Sequence, residues 1–525
     1  MKTNKWKDIF WCVLAGFCLG GGLAGLDLKA GFWRGWLAYG LLFSLGSVML
    51  LFAWRWAGSR KWLGLLLLLT FFLRLGLGVG LSKGLPISGY DTEVQRAGYN
   101  SVDAYHRDLQ SWDLADSDRP LMFAFDKTYA IDQYGGLEFL SALVYRTLSP
   151  DGHRPWLVIG MAALVASLGV VFFWKAAGTA WNEKLASLAV WIFALTPESL
   201  WWGSSQMREP FLISFISMGL WGVVKWQADQ DRKSLGWALG GVVGLLLFSP
   251  GVAIYMTIIL VGWVWLRSRA DHIPWRTLAI ASGVLVIAAL LLWVGLSRGA
   301  LQGAPLVETI TNWFKYSVKW DIYQLENESG VIQHLFSDHL DPRLKLPFIF
   351  GYGLAQPVLP AVLFDPAPGI WKTIGILRSL GWYLYLPFLI FNLVAILKIP
   401  SRNERTAWIW LFITTWIWIA VSALRAGGDQ WDNPRYRLIF LVFQALLVAK
   451  AWLAYQETHH PMLIRIGLIE LVFLLFFTDW YAFRYFRFIP RFSFTTTIGL
   501  IVLAAILILS IGFIVDKVKN ARKIN

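Results

Sequence analysis

Long apolar runs separated by short polar connections dominate the chain from end to end. A helix needs about 20 apolar residues to cross the hydrocarbon core of a bilayer. Runs near that length fall at 9 to 25, 36 to 54, 62 to 81, 156 to 174, 186 to 203, 210 to 226, 235 to 249 and 251 to 267. Further runs fall at 277 to 297, 372 to 397, 407 to 424, 438 to 455, 463 to 479 and 495 to 515. The pattern predicts an all-α, polytopic transmembrane bundle of about 14 spans. The two runs that meet at Ser249, Pro250 and Gly251 are short and also fit a hairpin that does not fully cross.

Orientation follows from the Lys and Arg of the short loops, which favour the cytoplasmic side. With the amino terminus inside, that side receives Arg55, Arg60 and Lys61, then Lys175 and Lys184, then Lys225, Arg232 and Lys233. It also receives Arg267, Arg269 and Arg276, then Lys398, Arg402 and Arg405, and finally Lys517, Lys519, Arg522 and Lys523. Residues 346 to 364 are apolar enough to cross, but they carry Gly351, Gly353, Pro357 and Pro360. A crossing there would turn the basic loop 398 to 405 outward. A re-entrant or interfacial segment with its broken backbone buried against protein is expected instead. Both termini are then cytoplasmic, and the chain is expected to be a multi-pass protein of the plasma (inner) membrane. The whole chain, 1–525, reads as one transmembrane domain.

Three polar stretches, 82 to 136, 298 to 345 and 425 to 437, fall together on the outer side in this topology. The first, 82–136, is the first external loop and the candidate for catalysis. The second, with helical periodicity at Ile310, Trp313, Phe314 and Val318, is expected to lie along the interface, so that 298–369 forms an external loop with an interfacial or re-entrant segment. No internal repeat or low-complexity tract is visible.

Composition agrees with the pattern. The 525 residues are 57% hydrophobic and 15% charged, and the mean hydropathy is +0.54. A set of soluble domains does not have this balance. The 32 Trp suit the interfacial belt, and Trp56, Trp62, Trp201, Trp202, Trp371 and Trp480 stand near expected span ends. The net charge of +14 sits in loops rather than on one face, so nucleic acid is not an expected partner. The only cysteines, Cys12 and Cys18, lie in the first apolar run and offer neither a disulfide framework nor a zinc site. Lys2, Lys5 and Lys7 before that run resemble a signal peptide, and residues 20 to 25 are small enough for cleavage. A second full run follows at once, so a retained anchor is expected.

The first polar stretch, from Ser88 to Leu121, carries Asp91, Glu93, Asp103, Asp108, Asp113, Asp116 and Asp118 just beyond the third run. A solvated acidic loop would look similar. Tyr90, Tyr99, Tyr105 and Trp112 are interleaved with the acids, however, which suggests packing at the membrane face.

Here the chain resembles a family. An acidic residue soon after an early span, Asp103 with Tyr105 and then the amphipathic stretch Leu109 to Ala115, looks like the first external loop of GT-C glycosyltransferases. These include the dolichyl-phosphate-mannose protein mannosyltransferases and the bacterial lipid A aminoarabinose transferases. Tyr134-Gly135-Gly136-Leu137 through Tyr145-Arg146 resembles their next juxtamembrane helix. Ala194-Leu195-Thr196-Pro197-Glu198 and Gln206-Met207-Arg208-Glu209-Pro210 resemble the following outer turn. Asn433-Pro434-Arg435-Tyr436-Arg437-Leu438 resembles a basic element heading a late span. Asp91 and Glu93 are separated by Thr92, where many members carry adjacent Asp and Glu.

The resemblance implies transfer of a sugar, with inversion, from a polyprenyl-phosphate-linked donor to an acceptor at the outer face, without naming the acceptor. Such chemistry needs a carboxylate to take the proton of the attacking hydroxyl. Asp103, Asp91 and Glu93 are the candidates, Asp103 first. It also needs positive charge, or a metal, where the lipid phosphate departs. Arg208, Arg435 and Arg437 are the candidate cations, and Glu209 and Tyr436 share their motifs. Each arginine also reads as a span-end anchor. Asp91 and Glu93 are also candidate ligands for a divalent cation held together with substrate phosphate.

Other signals are weaker. Asp116-Ser117-Asp118 matches the DxD of nucleotide-sugar transferases but lies on the outer side, and Asn327-Glu328-Ser329 is a sequon. His459 and His460 have no ligand spacing around them. Arg74 and Glu470 lie inside apolar runs and are expected to face protein or a cavity. A transporter or flippase of a lipid-linked sugar, and a noncatalytic subunit of a polysaccharide-assembly complex, are the competing functions. The polar residues gather at one face, where a transporter would place them near the midplane.

Overall fold

The computed structural model describes residues 5–28, 31–125, 134–267, 341–425, 434–487 and 492–524. The described residues are helical throughout and contain no strand. They fall into two compact units. One gathers Met1–Tyr323 with Arg435–Ala445, and the other gathers Gln324–Pro434 with Leu446–Asn525.

The first unit begins with α1 (Lys5–Leu26), α2 (Phe32–Trp56) and α3 (Lys61–Ser88). The short α4 (Glu93–Arg96), α5 (Val102–Asp116), a 3-10 turn at Leu121–Phe125 and α6 (Gly136–Leu148) follow. Then come α7 (Trp156–Ala180), α8 (Glu183–Leu195), α9 (Pro197–Trp202), α10 (Glu209–Asp229), α11 (Lys233–Phe248) and α12 (Pro250–Arg267). Small residues let α1 and α2 pack backbone to backbone, because no hydrophobic force separates helices from lipid and close contact must supply the attraction. A methyl group on Gly20 would stand 2.5 Å from the Gly40 nitrogen, and one on Gly16 would stand 2.3 Å from the Ser44 nitrogen. Helix α7 is apolar on every side and buried along most of its length, with α2, α3, α8 and α10 packed around it.

The two ends of this unit differ in chemistry. At one end Arg60 pairs with Glu183, Lys175 lies over Trp56, and Trp174 donates to the Ala57 carbonyl. At the other, Trp156 donates to Ser82 and Gln206 donates to the Pro155 carbonyl, which ties the end of α3 to the starts of α7 and α10. Helix α5 lies at this second end.

The second unit contains α13 (Pro342–Ala355), α14 (Leu359–Phe364), α15 (Gly369–Leu397) and α16 (Arg402–Arg425). The chain then returns to the first unit through α17 (Pro434–Leu438) and the start of α18 (Leu441–Thr458), and the second unit closes with α19 (Met462–Phe486) and α20 (Phe494–Ile524). The prolines predict a break within 346–364, and the break falls at 356–358 between α13 and α14. Trp382 donates to the Leu354 carbonyl at 2.8 Å and Tyr383 to the Ala355 carbonyl at 2.8 Å. The carbonyls released by the break therefore keep partners, as a bilayer requires.

Among the described residues, ten helices are long and apolar enough to cross a membrane: α1, α2, α3, α7, α10, α12, α15, α16, α19 and α20. The protein is thus a polytopic helical membrane bundle, and ten of the 13 runs that fall among the described residues give such helices. The run 186–203 is not one span. It breaks at Thr196, whose extended backbone (ψ 122) lets Pro197 start a new helix at its favoured first position. Arg74, buried in α3, fills the break, donating to the Ala194 carbonyl at 3.3 Å and to Ser199 Oγ at 2.8 Å. It faces protein, as expected, through hydrogen bonds rather than an ion pair. The run 235–249 gives the 16-residue α11, and 438–455 gives α18, which is not among the ten. The run 277–297 and the periodic stretch at 310–318 lie outside the described residues.

Candidate functional site

Helix α5 starts where Ser101, in extended conformation (φ −151, ψ 153), accepts from the Ala104 amide at 3.2 Å. This is the N-cap arrangement that satisfies an otherwise orphaned donor. Asp103 then occupies the first turn, where the partial positive charge of the helix end favours a carboxylate. One turn later Arg107 sits on the same face, its guanidinium 3.5 Å from Asp103 Oδ2.

A third group arrives from far along the chain. Arg435, in α17, donates through Nη1 to Asp103 Oδ2 at 2.7 Å, and its Nη2 donates to the Tyr436 hydroxyl at 3.0 Å. The guanidinium also faces the Tyr436 and Trp202 rings, 4.9 and 5.8 Å from their centroids. Trp202 is held in turn by its indole N–H on Glu198 Oε1 at 2.7 Å. The side chains of Arg107, Arg435 and Asp103 are 7%, 13% and 37% exposed, so the carboxylate is the accessible member.

Arg208 stands just before the first turn of α10, is buried, and lies 5.4 Å from the Tyr134 ring. Its neighbour Met207 offers its sulfur to both Arg107 Nη1 (3.4 Å) and Ser101 Oγ (3.8 Å), which fastens α5 to the head of α10. Burial pushes the Asp103 carboxyl up, but the positive charges of Arg435, Arg107 and Arg208 outweigh it and hold the group below the ordinary aspartate value. Asp103 is therefore ionised at neutral pH and surrounded by cations.

The remaining expected site residues fall as follows. Glu209 is buried in the first turn of α10 beside Arg208. Arg437 is buried, and its backbone carbonyl accepts from Gln444 Nε2 at 2.7 Å. Asp91 is 90% exposed and pairs with Arg96 at 3.4 Å. Glu93 is exposed and accepts from the Tyr105 hydroxyl at 2.9 Å. The cluster thus joins Asp103, Arg208, Arg435 and Tyr436, while Asp91 and Glu93 have other partners. Among the described residues, no three His, Cys, Asp or Glu side chains converge as a metal site would require.

Two features were not evident from sequence. Arg107 had a signal, its four-residue spacing from Asp103 on a helix. The second is a buried knot behind the cluster. Asp108, with no side-chain exposure, accepts from Tyr99 at 2.6 Å, from Tyr145, and lies 2.9 Å from His153 Nε2. Trp112 stacks on His153 at 5.3 Å. The knot ties α5 to α6 and to the turn before α7. Burial, then the Asp108 charge, push both tyrosine hydroxyls well above the ordinary value, so both remain donors.

No protein-family model and no curated relative matches the chain. Among solved structures, it is similar to the oligosaccharyltransferase AglB of the archaeon Archaeoglobus fulgidus in complex with an inhibitory peptide and a dolichol-phosphate. The TM-score is 0.42 at 12% identity, over 86% of this chain and 55% of that one. The apo form of the Archaeoglobus fulgidus oligosaccharyltransferase gives 0.41 at 12% identity, over 86% and 55%. The same enzyme tethered to an acceptor peptide with the NVT sequon gives 0.39 at 14% identity, over 85% and 54%. The chain spans about half the length of these enzymes.

Proposed function

We propose that the protein is a membrane glycosyltransferase that moves a sugar from a polyprenyl-phosphate-linked donor to an acceptor hydroxyl at the outer membrane face. One observation carries the reading. A single accessible carboxylate is surrounded by arginines from three separate chain segments, at the end of the unit opposite Arg60 and Lys175. Guanidinium groups bind phosphate through parallel hydrogen bonds, and a site that transfers sugar from a phosphate needs both that cation and a proton acceptor.

In the proposed reaction the acceptor oxygen attacks the anomeric carbon and the bond from that carbon to the phosphate oxygen breaks. The phosphate leaves with the bonding electrons as polyprenyl monophosphate, and the hydroxyl proton passes to Asp103. Attack opposite to departure inverts the anomeric centre. Arg435 and Arg208 hold the charge that develops on the departing phosphate, and Tyr436 and Trp202 keep Arg435 oriented. Both termini are then cytoplasmic and the basic loops face inward, as the distribution of Lys and Arg favours.

The test is transfer activity in purified variants. Asp103→Asn, Arg435→Gln and Arg208→Gln are expected to fall by about 100-fold or more, while Asp118→Asn retains activity. Normal turnover in Asp103→Asn would remove this carboxylate from the chemistry.

A further inference from the structure

The cluster as it stands is poorly arranged for a base. A general base works best with a pKa near the operating pH, whereas Arg435, Arg107 and Arg208 outweigh burial and hold the Asp103 carboxyl below the ordinary aspartate value. Both described ion-pair contacts also fall on one oxygen, Oδ2, at 2.7 and 3.5 Å. Carboxylate and phosphate compete for the same guanidinium fork. Asp103, 37% exposed, stands where an incoming anion would meet Arg435.

We infer that Asp103 is a stand-in anion: the phosphate of the lipid-linked donor displaces it from Arg435, and only the displaced carboxylate acts as the base. The inference rests on the donor reading above and adds a gate to it. Arg107 and Asp103 share one helix and are spaced to stay together, with Arg107 also on the Met207 sulfur. Arg435 comes from a different segment and keeps its Tyr436 and Trp202 contacts when the carboxylate leaves. Among the contacts of the described residues, exchange opens the 2.7 Å one. An enzyme without donor holds its base in an ion pair, so the acceptor is not activated until the phosphate is seated.

Removing a carboxylate near a bound phosphate relieves repulsion in any case. A stand-in anion also competes for Arg435, so its removal gains affinity only while Arg435 is present. The probe is polyprenyl monophosphate, bound by the full chain in phosphatidylcholine nanodiscs. Asp103→Asn is expected to tighten binding about tenfold, the worth of one charge-assisted hydrogen bond. Asp118→Asn, which removes the same charge from an exposed position, leaves affinity unchanged. In an Arg435→Gln background the gain from Asp103→Asn disappears. Inorganic phosphate separates the two sources of the anion, because the lipid form is expected to bind far more tightly and equal affinity would overturn the lipid assignment.

Unchanged or weaker binding in Asp103→Asn, with the wild type binding normally, overturns the exchange and leaves the donor reading intact. No binding by the wild type overturns both. If Asp103→Asn does not fold, the wild type answers instead. Adding polyprenyl monophosphate should shift a carboxylate band in the infrared difference spectrum, and the shift should vanish in Arg435→Gln. An unshifted band overturns the exchange.

Discussion

Replacing Tyr145 with Phe removes one hydroxyl and nothing else from the knot at Asp108. That hydroxyl is fully buried and donates to a carboxylate with no side-chain exposure. A hydrogen bond to a charged group contributes about 1.5 to 3 kcal/mol net. Asp108 keeps Tyr99 and His153 after the change, so its charge is not stranded and the loss should stay within that range. Removing Tyr99 as well leaves His153 alone on a buried carboxylate, whose desolvation is then poorly offset. The double variant should therefore lose more than the sum of the two singles, by about 0.5 to 3 kcal/mol. Titration with dodecyl sulfate in mixed micelles, read by tryptophan fluorescence and helical circular dichroism, measures all four corners of the cycle. A Tyr145→Phe variant within about 0.5 kcal/mol of wild type, or single losses that simply add, would refute the account of the knot.

Three further outcomes are expected. Trp382→Phe removes the indole N–H that donates to the Leu354 carbonyl at the break after α13, and should cost about 0.5 to 1.5 kcal/mol in the same titration; no loss would show that the break does not depend on it. Asp103 is ionised above its lowered pKa and is protonated only as pH falls through it, so the acid limb of kcat/KM, which reports the free enzyme, should lie below the ordinary aspartate value and move up in Arg435→Gln. An acid limb unmoved by Arg435→Gln would assign it to another group. Turnover should survive a chelator, since the arginines supply the positive charge; loss of activity restored by a divalent cation would favour a metal held by Asp91 and Glu93.

The spans were legible because lipid imposes a simple rule, that every backbone group in the hydrocarbon be satisfied within the helix. The break at Thr196 was not. Pro197 suits the first turn of a new helix, so its presence alone does not tell a broken run from an unbroken one, and the Arg74 contact that fills the gap spans more than a hundred residues. The two halves of the candidate site were visible separately, through the family resemblance. Asp103 and Arg435 stand 332 positions apart, and no local pattern pairs them. Asp108 went unread for a similar reason. Its partners lie 9, 37 and 45 residues away on different elements, and in sequence it was one acid among seven.

The most direct measurement is whether the purified protein in nanodiscs consumes a polyprenyl-phosphate-linked sugar. Polyprenyl-phosphate-linked hexoses and pentoses are supplied with a range of hydroxyl acceptors, water included, and the lipid product is followed by mass spectrometry. The wild type is expected to release polyprenyl monophosphate and a product sugar of inverted anomeric configuration, and Asp103→Asn and Arg435→Gln are expected to lose that release. Binding of the lipid phosphate without turnover of any donor, with the two variants indistinguishable from wild type, would contradict it and leave the noncatalytic or flippase reading in its place.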